Sequence, residues 1–225
     1  MTSLNKKKVL ITSGPTRCYL DVVRYITNTS TGKLGTEIAL EAMRHGATVT
    51  FLYGKDSLFP LIEDHTGTKS SQLKLIEIET NSNLVKILQE RLRKTKFDAI
   101  VHAMAIADYV PAKLKTNKIS SGKEKLIVKF VRAPKVIDVI REIWPKALLV
   151  GFKLEVNKTK EELIKISKRF MKRCTADLIV ANDYRFISEN RHIAHLISSD
   201  YSIMRTLKSK QGIAKGVIEY IEKKT

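Results

Sequence analysis

Cysteine is scarce in this sequence: Cys18 and Cys174 stand alone in 225 residues. Two cysteines form no disulfide framework, and neither sits in a metal-ligand spacing, so a reducing cytoplasm is the expected setting. Long apolar runs are missing as well. Nowhere do about 18 apolar residues follow one another, and the basic start MTSLNKKK leads only into a short apolar stretch, which argues against a signal peptide and a membrane span. Acidic side chains are the third shortage, 23 against 41 Lys and Arg, for a net charge of +18. Such an excess attracts anions: nucleic acid, an acidic membrane surface or small phosphorylated substrates. No run of five like charges occurs, and the aromatic-basic interleaving of an RNA-binding module is absent, so nucleic acid is the weaker reading and a solvated lysine surface accounts for most of the excess. No Pro/Gly/Ser-rich linker, repeat or low-complexity segment divides the chain. One domain over residues 1–225 is expected, and 43% hydrophobic content is enough to fill its core.

What is present is an alternation of short apolar strands with amphipathic helices. KVLITS (8–13) reads as a strand, GKLGTEIALEAMRHG as a helix closed by Gly46, and TVTFLYG (48–54) as the next strand. The pattern continues with LKLIEIE as a strand, SNLVKILQERLRK as a helix, and DAIVHAMA and KLIVKFV as strands. A short helix from Pro134, the strand ALLVGFKLE, the helix KEELIKISKRFMKR and the strand ADLIVAND follow. HIAHLISS and YSIMRTLK flank a polar turn as a hairpin would, before a last helix in GIAKGVIEYIEKK. The fold class is therefore α/β: a Rossmann-like, doubly wound, mostly parallel sheet with a C-terminal hairpin and helix.

Ligands of such sheets bind beyond the carboxyl ends of the strands. There the sequence offers SGPTR, AMAIADYVPAKLKTNKIS, GFKLE and ANDY, and a long loop, RYITNTSTGKLG, enters the first helix. A helix N-terminus with glycines and a hydroxyl suits a phosphate, and it equally suits an ordinary helix capped by Ser30 or Thr31; the residues alone leave both open. A P-loop is excluded, because Thr27 stands where its first glycine belongs and Leu34 where its hydroxyl belongs. No G-x-G-x-x-G follows Gly14. No Ser-His-Asp or Cys-His arrangement is defensible either.

The stretches ITSGPTR, VRYITNTSTGKLG, AMAIADY, NKIS, GFKLE and LIVAND occur in the order and spacing of the phosphopantothenoylcysteine synthetases, and the chain resembles that family over nearly its whole length. The resemblance implies a ligase of coenzyme A biosynthesis that joins 4'-phosphopantothenate to L-cysteine. The substrate carboxylate would attack a nucleoside triphosphate, CTP or else ATP, to give an acyl-nucleotide and pyrophosphate, and the cysteine amine would displace the monophosphate. It implies Mg2+, no flavin, a cytoplasmic homodimer, and a stand-alone form with a separate flavin-dependent decarboxylase as a potential partner.

By the same resemblance Asn28 binds phosphopantothenate and steadies the acyl-nucleotide, and Lys118 in TNKIS serves the triphosphate. Gly14, Ser30, Gly32 and Gly35 match the nucleotide loop, Asp108 an acidic position near the nucleotide and its metal, and Phe152 and Asn182 positions lining base and sugar. No residue is assigned as a metal ligand. Lys168 and Lys172 lie on a helix whose lysines serve the nucleotide in relatives, although their offset from ADLIVAND differs and a solvated basic face accounts for them better. Ala133-Pro134-Lys135 and GFKLE depart from the bacterial pattern toward the ATP-using forms, while the remaining motifs favour CTP. Cys18 and Met104 also depart from the usual glutamate and alanine.

Two rivals come from other classes. Tyr109-Val-Pro-Ala-Lys113 spells the Y-x-x-x-K signature of NAD(P)-dependent short-chain reductases, but Pro111 breaks the helix that signature requires. A basic nucleic-acid-binding protein is the second rival, and it rests on charge alone.

Overall fold

The computed structural model describes residues 4–62, 69–122, 124–200 and 202–225. In chain order its elements are β1 (Lys8–Ser13), the short strands β2 (Arg17–Tyr19) and β3 (Tyr25–Thr27), α1 (Lys33–Arg44), β4 (Thr48–Gly54) and β5 (Leu73–Ile78). Then come α2 (Asn81–Lys86), continued by a π-helical turn over Ile87–Leu92, β6 (Ala99–His102), and the short strands β7 (Tyr109–Pro111) and β8 (Phe130–Arg132). The rest is α3 (Val136–Ile143), β9 (Leu148–Glu155), α4 (Lys160–Cys174), β10 (Leu178–Ile187), β11 (His192–Ser198), β12 (Ile203–Leu207) and α5 (Lys210–Lys224).

Eight strands form one sheet in the order β12-β11-β10-β9-β6-β1-β4-β5. The six from β10 to β5 are parallel, and β11 and β12 extend the β10 edge as an antiparallel hairpin. The chain winds from β1 out through β4 and β5, then crosses back to β6, β9 and β10. Its direction reverses between β1 and β6, where doubly wound proteins open a crevice for ligands.

The inner strands are apolar on both faces because both faces are covered by helices. On one side Val9 and Ile11 of β1 meet Ile38, Ala42 and Met43 of α1 and Ile213, Val217 and Ile221 of α5. On the other side Leu10 meets Leu84, Leu88, Val136, Ile140, Leu163 and Met171 of α2 to α4 and the π-turn. The α/β, doubly wound expectation is thus borne out, including the late hairpin and the last helix. His45 caps α1 and Gly46 follows at φ 93°, donating to the Met43 carbonyl, the left-handed position that glycine fills at helix ends.

One reading needs correcting. KLIVKFV was expected as a strand of the main sheet, yet only Phe130–Arg132 is extended in a ladder, paired antiparallel with Tyr109–Pro111 outside that sheet. A short apolar run with β-branched residues favours a strand without naming the sheet it joins. Here Ile127 is 91% exposed, so the segment has no core to face. Pro111, which cannot donate, is tolerated because this ribbon has only edges. Among the described residues no helix is long and apolar enough to cross a membrane.

Candidate active site

The site starts where β1 leaves the sheet. Gly14 turns at φ 75°, and a Cβ on it would lie 2.3 Å from Ser57 Oγ, so no other residue fits without moving the neighbouring loop. Ser13 Oγ donates to the Gly32 carbonyl at 3.0 Å, and a Cβ on Gly35 would lie 2.2 Å from that same oxygen. Gly32 itself, at φ 81°, is the N-cap of α1, without a side-chain cap. Neither Ser30 nor Thr31 is the N-cap, although the Thr31 hydroxyl accepts Lys33 N–H at a long 3.4 Å while its carbonyl accepts Leu58 N–H at 2.9 Å.

The first helical bond of α1 runs from Thr36 N–H to Gly32 O, leaving the N–H groups of Leu34 and Gly35 without a protein acceptor among the described residues. Uncapped donors at the positive end of a helix, beside close-packed glycines, are suited to an anion.

The second wall is the exit of β6. Ala105 N–H donates to Gly14 O at 2.9 Å and Thr16 N–H to Ala105 O at 3.2 Å, zipping the two exit loops together. Buried Thr16 donates to Asn81 Oδ1 at 2.6 Å, Asn81 donates to Ala107 O at 2.7 Å, and Ala107 N–H returns to Thr16 Oγ1 at 3.2 Å, a closed ring. Asn28 is exposed at the mouth and spends one amide hydrogen on Ala105 O at 3.1 Å. Its other hydrogen and its Oδ1 remain available. Deeper down, Thr12 Oγ1 and His102 Nδ1 lie 2.7 Å apart, and burial pushes the imidazole down to about 4, so it is neutral.

The β2–β3 ribbon carries Asn28 into place, and sequence reasoning missed what holds it. The Arg17 guanidinium is bonded to Asp56 and, at 3.3 Å, to Glu79, with the Tyr25 ring 4.4 Å away. Tyr19 donates to Glu79 at 2.7 Å and, with Lys55, holds that carboxyl below its usual range. Asp21 in the ribbon's turn is wholly buried, and accepts from Val23 N–H, Arg24 N–H and Ile119 N–H. The signal for Asp21 was its isolation: a lone acid within an otherwise basic and apolar stretch, YLDVVRYI.

The remaining candidates are spread along the strand ends. Asp108 is exposed just beyond β6 and pairs with Lys135. Lys118 is exposed and has no hydrogen bond or ion pair among the described residues. Ser30 is half-buried in the loop before Gly32. Phe152 on β9 packs against the core under α1 and α5 and lies opposite Val180 of β10. Asn182 is buried, 3.0 Å from His192 Nε2, with its Oδ1 unpaired; burial holds His192 at about 4. Lys168 lies mid-helix on α4, and Lys172 in its last turn. That end of α4 meets the amino end of the sheet, where Asp177 N–H bonds Leu149 O, so Lys172 is not brought to the strand exits. Gly14, Asn28, Ser30, Gly32 and Gly35 are brought together. Among the described residues no three His, Cys, Asp or Glu side chains converge as a metal centre.

Fold and site together define a doubly wound α/β protein with an open, glycine-lined helix terminus at its switch point. The chain belongs to the family described as DNA/pantothenate metabolism flavoprotein C-terminal domain, whose model matches residues 4–224. It is 34% identical over 221 residues to the coenzyme A biosynthesis bifunctional protein CoaBC of Thermococcus kodakarensis, covering 98% of this chain and 52% of that protein. The CoaBC protein of Escherichia coli is 30% identical over 232 residues, covering 98% and 53%. The chain thus spans about half the length of the curated relatives it matches. Among solved structures, a DNA/pantothenate metabolism flavoprotein from Streptococcus pneumoniae superposes with a TM-score of 0.85 at 31% identity, covering 97% of this chain and 100% of that one. A Cab2 H337A mutant in complex with phosphopantothenate-cysteine shares the fold, with a TM-score of 0.76 at 21% identity over 98% and 87% of the two chains. The resemblance drawn from the motifs is borne out at the level of the family.

Proposed function

We propose that the chain is a phosphopantothenate–cysteine ligase acting in coenzyme A biosynthesis. The observation that carries this reading is the pairing, at one crevice, of the uncapped α1 terminus with the free amide face of Asn28. Family membership supports it. The reaction brings a carboxylate to a triphosphate, two anions that repel each other, so catalysis rests on positioning and charge neutralisation rather than on a nucleophilic side chain.

In the first step the carboxylate oxygen of 4'-phosphopantothenate bonds to the α-phosphorus of CTP, or of ATP, and the bond to pyrophosphate breaks. In the second, the amine of L-cysteine attacks the acyl carbon and the nucleoside monophosphate leaves, with a proton lost from nitrogen. Leu34 and Gly35 N–H, with Ser30, would receive phosphate oxygens, and Gly14 would allow close approach. Asn28 would donate to the carboxylate and hold the acyl-nucleotide without adding charge. Lys118 would neutralise the leaving pyrophosphate, and Phe152 and Asn182 would line base and sugar. Magnesium would be held mainly by substrate phosphates, and Asp108 at the mouth, here paired with Lys135, would be the carboxylate near it. No step is a redox step, so flavin has no part. Lys168 and Lys172 are retained only as distal contributors to a basic field. A cytoplasmic homodimer completes the reading, supported by the exposed Val22, Val23 and Ile26 of the ribbon, and the product would pass to a decarboxylase.

The test is to supply phosphopantothenate, L-cysteine and magnesium with CTP or ATP in separate reactions, then measure pyrophosphate and product mass. Pyrophosphate with a product of phosphopantothenoylcysteine mass is expected, and the better nucleotide is read from the two arms. No pyrophosphate with either nucleotide sinks the proposal.

A further inference from the structure

The loop carrying Lys118 runs over polar, exposed residues, and among the described residues one hydrogen bond ties the 113–122 segment to another element: Ile119 N–H to Asp21 Oδ2, at 2.9 Å. Asp21 divides its two oxygens. Oδ1 closes its own turn by accepting Val23 N–H at 2.9 Å and Arg24 N–H at 2.8 Å, a local arrangement that any Asx turn makes. Oδ2 is spent 98 positions away, on the residue after Lys118, with the Arg24 guanidinium 3.4 Å off. The carboxylate is wholly buried, so this distant bond is made inside the protein, where it is strong and costly to lose.

The turn that Asp21 organises leads within four residues to Asn28, through β3. From these contacts we infer that Asp21 is a positioning residue: it latches the Lys118 loop to the ribbon that carries Asn28, so that lysine and amide reach the crevice in fixed relation. This rests on the proposed role of Lys118. Asp21 itself touches no reacting atom.

Asp21→Asn separates the latch from the turn. Its Oδ1 still accepts from Val23 and Arg24, whereas its Nδ2 sets a donor against Ile119 N–H. Ile119→Pro removes the same bond from the other side, deleting the donor and leaving the carboxylate untouched. Both variants are expected to speed amide exchange and tryptic cleavage within 113–122 while protection of the main sheet is unchanged. In turnover with saturating substrates, each should lower kcat about 10- to 100-fold, the range a hydrogen bond to an ionised group is worth, with the KM for phosphopantothenate nearly unchanged. The decisive readout is a cycle with Lys118→Ala. If Asp21 acts through Lys118, Asp21→Asn costs nothing further once Lys118 is gone. Full additivity of the two substitutions, or undiminished kcat in both latch variants beside an inactive Lys118→Ala, overturns the inference alone. Full activity of Lys118→Ala overturns the assignment of Lys118 and the inference with it.

Discussion

At the scale of single residues, the site depends on atoms that are not there. Gly35 sits in α1 with no positive φ, so alanine would gain helix propensity of about 1 kcal/mol. Against that, the added Cβ would lie 2.5 Å from Ser13 Cβ and 2.2 Å from Ser13 Oγ, on a strand that cannot move. Overpacking of this kind costs about 1–3 kcal/mol and therefore wins. Gly35→Ala is expected to lower the melting temperature and to raise the KM for nucleotide, and Ser13→Gly in the same chain to recover part of each, since it relieves the crowding but removes the bond to the Gly32 carbonyl. Melting unchanged in the single variant would show that the crowding is relieved some other way. Asn28 is the opposite case, an exposed amide whose loss costs one surface hydrogen bond. Asn28→Ala should leave the melting temperature within a degree or two of wild type and reduce kcat at least about 100-fold, as loss of a donor to the reacting group does. Undiminished turnover would reject its role.

At the scale of elements, strands and helices announce themselves by period, and the helix caps can be checked one by one. Thr159 accepts Glu162 N–H at 3.2 Å while Glu162 accepts Thr159 N–H at 2.9 Å, a capping box that opens α4. Thr159→Ala is expected to destabilise the protein by about 1 kcal/mol in urea unfolding, with no change in the KM for either substrate. An effect on KM instead would mean that the start of α4 shapes the site. What period did not reveal were the two ribbons. KLIVKFV is apolar and rich in β-branched residues and reads as a strand of the main sheet, but such composition says only that a segment can pair. The parallel core of KVLIT and DAIVH was readable because burial on both faces leaves continuous apolar runs. The turn at Asp21 has neither glycine nor proline to mark it, and the partners of Asp21 and Arg17 are distant in sequence. Long-range pairing of this sort leaves no local trace, so the glycines of the site were readable and its latches were not.

At the scale of the whole molecule, acid stability follows from what folding does to the histidines. Burial holds His102 and His192 at about 4, and lowers His195 as well. A base whose folded pKa lies below its unfolded value binds its proton more readily in the unfolded chain. Its contribution is therefore fully present above the unfolded value, about 6.5, and is lost as pH falls toward 4. The fully buried His102 contributes about 3 kcal/mol across that window, and His192 and His195 act in the same direction. Asp183 and Asp200 act in a separate, lower window, since their hydrogen bonds hold them at about 2 and their contribution is lost only below about pH 4. Urea unfolding between pH 7.5 and 4.5 should thus show stability falling well before Asp183 or Asp200 protonates. His102→Gln, which cannot take up a proton, should flatten that fall by about one proton's worth while lowering stability at neutral pH through the altered contact with Thr12. An unchanged slope in the variant would show that His102 takes up its proton equally in the folded and unfolded chain, and the acid sensitivity would then belong to His192 and His195.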